Sequence, residues 1–272
     1  MAIIITVIFL LAVIFGASYV FLLMPRVTDR ADMDLLSTDY ASRGLWSAHY
    51  PENSLPAFSL AVNGGYGIKL EARMSSDGVP MVFCDEALGR MCGIEKKVCD
   101  MTAFELTSVR LMNTAYGIPT LKQVLELVDG RVPLIIEIKD SVQVETLCRK
   151  IAQMLDVYHG AFAVEAFEPR VLAWFKRYRP RFARGQIVTS VRESDGVSKI
   201  QAFMYSNMLY NVISRPDFIA INGRLVRSLN FRVCVILFKC RGFVWTVTKP
   251  QQYKKIRRLG LFAIFEGFVP KI

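Results

Sequence analysis

The sequence predicts an α/β fold, a parallel (β/α)8 barrel of the TIM type, preceded by one transmembrane helix. Three observations carry that expectation. Strand-like and helix-like segments alternate about eight times across residues 38–272, the rhythm of a closed parallel barrel. No Gly-x-Gly-x-x-Gly follows the first strand, which argues against a doubly wound dinucleotide-binding sheet. Finally, residues 2–24 carry no charged side chain, and a span of about twenty apolar residues matches the hydrocarbon thickness of a bilayer.

The apolar run is longer than a signal-peptide core of about 7–15 residues, and no Lys or Arg precedes it. Residues 1–24 therefore read as a retained anchor. Arg26 and Arg30 follow it directly, so the positive-inside rule puts the remainder of the chain in the cytoplasm, at the cell membrane. Asp29, Asp32 and Asp34 lie in the same stretch, but acidic residues count for little in that rule. Residues 25–37 are polar without a sustained period and read as a juxtamembrane linker; the barrel domain is 38–272.

Each barrel element has its own signal. A short strand at 38–42 ends at Arg43-Gly44. A helix at 54–63 puts Leu55, Phe58, Ala61 and Val62 on one side, with Asn53 or Ser54 as its cap. Two strands follow within 68–85, joined by a turn at Asp77-Gly78. Strict alternation in the first puts Lys69, Glu71 and Arg73 on one face and Ile68, Leu70 and Ala72 on the other. Three charges on one face fit either a solvated edge strand or a polar site at a barrel mouth. Residues 87–99 read as an irregular excursion. Thr102 with Glu105, and Thr120 with Gln123, are capping-box pairs that start helices, the second running to Val128.

The second half repeats the beat. Strands are expected at 133–139, 162–167, 185–189, 217–221, 243–247 and 262–265, and helices at 142–157, 170–178, 198–212 and 251–259. Residues 224–231 read as a short helix or loop, and 233–238 admit an extra strand.

In a barrel the site lies at the C-terminal ends of the strands. The polar residues there are Ser42, Arg43, Glu71, Arg73, Cys84, Asp85, Glu137, Lys139, Glu165, Asn222, Trp245 and Glu266. The six cysteines have neither Cys-x-x-Cys nor zinc-like spacing and fit a reducing compartment. A net charge of +10 favours an anionic membrane surface, and no nucleic-acid partner is expected. The densest basic cluster, Lys254, Lys255, Arg257 and Arg258, suits anionic lipid or a solvated helix end favoured by the dipole.

These strand ends, taken in order, resemble the glycerophosphodiester phosphodiesterase family over nearly the whole chain after the anchor. The motifs are Ser42-Arg43-Gly44, Pro51-Glu52-Asn53-Ser54, Leu70-Glu71-Ala72-Arg73, Ser76-Asp77-Gly78-Val79-Pro80, Cys84-Asp85-Glu86, Ile118-Pro119-Thr120-Leu121, Ile136-Glu137-Ile138-Lys139 and Trp245-Thr246-Val247. The resemblance implies a metal-assisted phosphodiesterase that cleaves glycerophosphodiesters to glycerol 3-phosphate and an alcohol. That chemistry uses two histidines for proton transfer and a divalent cation on carboxylates.

This chain departs from the pattern where the chemistry sits. The first family histidine corresponds to Ser42 and the second to Cys84. Of the carboxylate pair two residues apart on the first hairpin strand, Glu71 is kept and its partner reads as Arg73; Glu137 and Lys139 are also kept. No catalytic residue is therefore expected at Ser42 or Cys84. Arg73 is expected to stand where the metal would be, paired with Glu71 and Glu137. Arg43, Lys139 and Trp245 are expected to hold a phosphodiester head group, with Trp245 either stacking on a choline-like group or, the commoner case, facing the core. No cofactor is expected. A Mg²⁺ or Ca²⁺ ion on Glu71 and Glu137 belongs to the alternative of an active hydrolase with altered chemistry, drawing on Cys84 or His49. His159 precedes its strand, at the bottom of the barrel. A third reading is a structural or interaction module at the membrane.

Overall fold

The computed structural model describes residues 1–26, 32–139, 144–191 and 197–270. Five linker positions, 27–31, and the first two of the helix expected from 142 lie outside the described residues.

Eight parallel strands close a barrel: β1 (Tyr40–Ser42), β2 (Gly67–Met74), β4 (Leu134–Ile138), β5 (Phe162–Ala166), β6 (Ala183–Val188), β7 (Phe218–Asn222), β8 (Arg241–Val247) and β9 (Phe262–Phe265). The barrel closes where β1 pairs with both β2 and β9. The ninth strand, β3 (Pro80–Val82), is antiparallel and pairs with the far end of β2. Closure leaves the eight parallel strands no free edge.

Helices face the outside of the barrel: α3 (Leu55–Asn63), α6 (Leu121–Val128), α7 (Val144–Leu155), α8 (Pro169–Tyr178), α9 (Lys199–Ser206), α10 (Asn211–Ser214), α11 (Leu229–Arg232) and α12 (Pro250–Arg258). Their starts follow the sequence signals. Ser54 accepts from the Ala57 amide, and the capping boxes at Thr102–Glu105 and Thr120–Gln123 both form. Ile68, Leu70 and Ala72 of β2 pack outward under the helices with Leu134, Ile136 and Val164. Inside, Tyr40, Phe218 and Phe243 stack edge to face as an aromatic floor, with ring centroids 5.0–5.7 Å apart.

Between β3 and α6 the excursion folds around its own small core of Met81, Phe83, Leu88, Leu106 and Ile118. It carries α4 (Gly89–Cys92) and α5 (Ala103–Ser108).

Two expectations need correction. Residues 233–238 form no strand: Val233–Leu237 is a π-helical turn continuing α11, and β7 pairs directly with β8. The helix expected at 198–212 is two helices, α9 and α10, broken near Met208, whose φ is +59°. Within the stretch read as a linker, α2 (Asp32–Leu36) inserts Met33 and Leu36 into the floor of the barrel.

The N-terminal helix α1 (Ala2–Leu23) is long and apolar enough to cross a membrane, with a mean hydropathy of 2.7. A spanning helix and a signal sequence share those properties. Its last turn is docked on the barrel. Leu23 is fully buried, and its carbonyl accepts from Asn211 Nδ2 at 2.9 Å. Arg215 donates to the Met24 carbonyl at 2.7 Å and lies over the Phe21 ring.

Candidate functional site

Three neighbouring strands bring three glutamates into one row. Glu71 on β2 pairs in register with Glu137 on β4, and Glu137 pairs with Glu165 on β5. Side chains paired in parallel strands point to the same face, here the interior, and all three are almost fully buried. A row of buried carboxylates is costly unless cations enter it.

Lys69 is the cation that enters. It lies one pleat below Glu71 on the same strand and is 9% exposed. Its Nζ donates to Glu71 Oε1 at 2.8 Å and also to Glu137 Oε2. Lys139, one pleat above Glu137, reaches Glu137 Oε1 at 2.5 Å. Arg43 Nε donates to Glu71 Oε1 at 3.1 Å, and Asn53 Nδ2 donates to Glu71 Oε2 at 2.9 Å. Three of the four oxygens of Glu71 and Glu137 therefore accept hydrogen bonds, and the fourth, Glu137 Oε1, lies against the Lys139 ammonium without a hydrogen bond among the described residues.

The turn that carries Arg43 is built for this approach. Arg43 and Asn53 both have positive φ, and the Asn53 amide donates to the Arg43 carbonyl at 3.0 Å. Gly44, at φ +83°, lies so close to α3 that a Cβ would stand 2.7 Å from the Ala57 carbonyl group. Arg43 also donates to Glu52, whose other oxygen accepts from Arg90, and Arg90 in turn pairs with Asp85.

The electrostatics follow from burial and proximity. Burial opposes the charge on Lys69, but Glu137 and Glu71 outweigh it and hold its pKa well above the ordinary lysine range. Burial likewise opposes charge on Glu71, and the surrounding Lys69, Arg43 and Lys139 keep its pKa far below the usual carboxylate range. Glu165 behaves the other way. Burial, with Glu137 and Glu71 close by, pushes it up to about 8, against the pull of Lys69 and Lys139. Among the described residues its Oε2 is buried without a hydrogen-bond partner, as are Asn53 Oδ1 and Glu137 Oε1.

Together these residues line a cavity of about 100 Å³ at the C-terminal end of the barrel. Ser42, Arg43, Lys69, Glu71, Glu137, Lys139, Glu165 and Trp245 all face it. Trp245 donates its indole N–H to the Ala220 carbonyl and packs edge-on against Phe167.

Arg73 is not among them, which corrects the expectation that it pairs with Glu71 and Glu137. Beyond Ala72 the strand leaves β4 and pairs with β3, which carries Arg73 above the mouth. There its Nε donates to the Cys84 carbonyl at 2.9 Å, and among the described residues it makes no ion pair. Cys84 is half-buried; burial and the nearby Glu71 push its thiol up to about 11, so it is protonated near neutral pH. His49 is exposed in the loop before Pro51, and His159 lines a separate depression at the barrel bottom with Gly130 and Tyr158. Glu266 borders a shallow groove with Trp46 and Phe268, and Asn222 caps its own turn by accepting from the Arg224 amide.

Lys69 is the residue that the sequence reading placed on the right face and left out of the site. The signal was its two-residue spacing from Glu71, the same spacing that drew attention to Arg73.

The pattern shared by the Glycerophosphoryl diester phosphodiesterase family matches residues 43–269. The chain belongs to that family. A glycerophosphodiester phosphodiesterase of Bacillus altitudinis is 28% identical over 243 residues, covering 84% of this chain and 94% of the relative. Glycerophosphodiester phosphodiesterase 1 of Rattus norvegicus is 34% identical over a shorter stretch of 108 residues, covering 39% of this chain and 30% of the relative. Among solved structures, the glycerophosphodiester phosphodiesterase of Thermotoga maritima superposes with a TM-score of 0.65 at 27% identity, covering 84% of this chain and 94% of that one. An Oleispira antarctica phosphodiesterase, solved with the product sn-glycerol-3-phosphate, superposes with a TM-score of 0.70 at 20% identity, covering 86% and 94%. Membership places the cavity at the position where this fold carries its chemistry.

Proposed function

We propose that this chain is a membrane-anchored member of the glycerophosphoryl diester phosphodiesterase family that binds a phosphodiester head group and does not hydrolyse it by the metal-dependent route. The observation that carries this reading is the Lys69 ammonium between Glu71 and Glu137. A divalent cation needs anionic oxygens with free lone pairs. Here three of the four oxygens accept hydrogen bonds from nitrogen donors, and the fourth, Glu137 Oε1, lies 2.5 Å from the Lys139 ammonium. A dication about 4 Å from an ammonium is repelled by about 8 kcal/mol at an effective dielectric of about 20. The residues present therefore do not fit a divalent metal, and no step is routed through one. The positional correspondence shifts accordingly: the pair of inward-facing positions two residues apart is 69 and 71, so the family's first acid falls on Lys69.

Among the described residues, proton transfer has no carrier at the cavity. Ser42 does not titrate near neutral pH, Cys84 holds its proton, and the two histidines lie away from the cavity. Binding remains well supported. Arg43, Lys69 and Lys139 place three positive charges around the cavity against two from Glu71 and Glu137, with Glu165 neutral below about pH 8. Among the described residues that line the cavity the balance is thus one positive charge, the sign that suits a phosphodiester, with Arg43 shared with Glu52 outside the lining. Arg43 and Lys139 offer the donors, the neutral Glu165 carboxyl offers its Oε2, without a partner among the described residues, to a ligand hydroxyl, and Trp245 supplies an aromatic wall.

The anchor reading rests on the docked last turn of α1. Removing the helix would uncover Cys234 and Asn211, both fully buried against Leu23. Arg26 just beyond it favours a cytoplasmic barrel on a single-pass protein at the cell membrane.

Incubation with glycerophosphocholine tests the reading. No glycerol 3-phosphate is expected to appear with Mg²⁺, Ca²⁺ or a chelator. The same ligand is expected to raise the melting temperature of the wild type and not that of Lys139→Ala. Metal-dependent release that disappears in Glu137→Gln would overturn it.

A further inference from the structure

The direction in which α1 leaves the barrel fixes which face of the molecule meets the membrane. At its C-terminal end α1 is held at the bottom of the barrel. Arg215 and Pro216, which bind Met24 and Arg26, directly precede β7. Five residues earlier the Tyr19 hydroxyl donates to Asn230 Oδ1 in the first turn of α11. That turn follows β7 and so lies at the mouth end. From Met24 to Tyr19 the helix therefore climbs about 7.5 Å from the bottom towards the mouth.

Everything before Tyr19 is exposed, from Met1 to Ser18. The 17 helical residues from Ala2 to Ser18 extend about 26 Å past that point. This approaches the hydrocarbon thickness of about 30 Å. The rim at that height exposes large apolar side chains among polar ones such as Lys199 and Gln201. Ile200 and Phe203 on α9 and Leu229 on α11 are 74%, 59% and 67% exposed. Arg224 and Arg227 stand exposed in the loop between β7 and α11. Across the mouth, Phe104 on α5 is 81% exposed, and α5 is tied to the β2–β3 turn by the Ala103 amide donating to Asp77 at 2.9 Å.

We infer that the mouth face of the barrel lies against the same bilayer that α1 enters, with Ile200, Phe203 and Leu229 in the head-group layer and Arg224 and Arg227 at lipid phosphates. Three observations converge on a phospholipid surface as the occupant of this rim: it is continuous with the anchor, it pairs exposed apolar side chains with arginines, and a tyrosine marks the boundary of the helix. The cavity then opens towards lipid head groups and away from bulk solvent. This inference rests on the reading of α1 as an anchor.

The test uses the full chain reconstituted in vesicles of phosphatidylcholine and phosphatidylglycerol, some carrying acyl chains brominated near the head group. Tryptophan is introduced at the rim by Phe203→Trp, with Leu229→Trp as a second rim probe, and at the bottom by Val157→Trp, a position 73% exposed. The three native tryptophans contribute equally to all variants. The added emission of both rim variants is expected to be quenched by about half or more, and that of Val157→Trp to be unaffected. Protein that floats with the vesicles but shows no rim quenching, or quenching at Val157→Trp instead, overturns the inference while leaving the anchor intact. Unquenched rim emission that is nonetheless blue-shifted assigns the rim to a second copy of the chain and likewise overturns it. Protein that does not float overturns the anchor reading, and the inference with it.

Discussion

Glu165 is the residue whose behaviour departs furthest from its ordinary chemistry outside the ion pairs. Its carboxyl is raised from 4.5 to about 8 by burial and by its two acidic neighbours. Between those values the unfolded chain has lost the proton and the folded chain keeps it, so stability falls as pH rises through the window. Glu165→Gln removes that dependence. Its melting temperature should exceed that of the wild type by several degrees at pH 9 and by much less at pH 5, a few kcal/mol of pH-dependent difference. A gain independent of pH would show that Glu165 is ionised throughout. The acids of this cluster were legible in the sequence because Glu137 and Glu165 come near the ends of apolar strands and Glu71 alternates with apolar residues on β2. The cation was not, because alternation offers Lys69 and Arg73 equally. What separates them is where β2 changes partners, from β4 up to Ala72 to β3 beyond it. That depends on the hairpin's height above the barrel, which periodicity does not encode.

Among the elements, α1 and its cradle make the sharpest prediction. Asn211 is fully buried, and its amide satisfies the Leu23 carbonyl where the helix ends. Asn211→Ala leaves that carbonyl with only the weak Cys234 thiol as a side-chain donor in an apolar setting and should cost about 1–3 kcal/mol. The loss is read as a lower melting temperature of the full chain in detergent, and an unchanged value would mean that α1 is not seated as described. The helix itself was plain from composition, but its docking was not, since Asn211 and Arg215 lie about 190 residues away in sequence. Capping boxes at Thr102 and Thr120 were readable because both partners are local. The π-helical turn at Val233–Leu237 was misread for the same reason in reverse. Its β-branched run favours a strand locally, and only the direct pairing of β7 with β8 excludes one.

At the scale of the whole molecule, the barrel and the last turn of α1 are one packed object. α2 plugs the floor, the last turn of α1 lies against α10 and the π-helical turn after α11, and the polar row at the opposite end of the barrel holds the site. The barrel class followed from the repeated strand–helix beat, because each unit must bury one face of a strand under one helix. Its chemistry did not follow from class, because family membership fixes where a site lies and not what occupies it. The central claim is that a lysine holds the place of a divalent ion. Calorimetric titration of the full chain with Mg²⁺ tests it most directly. No binding heat is expected up to about 1 mM. A dissociation constant in the micromolar range, lost in Glu71→Ala, would contradict it.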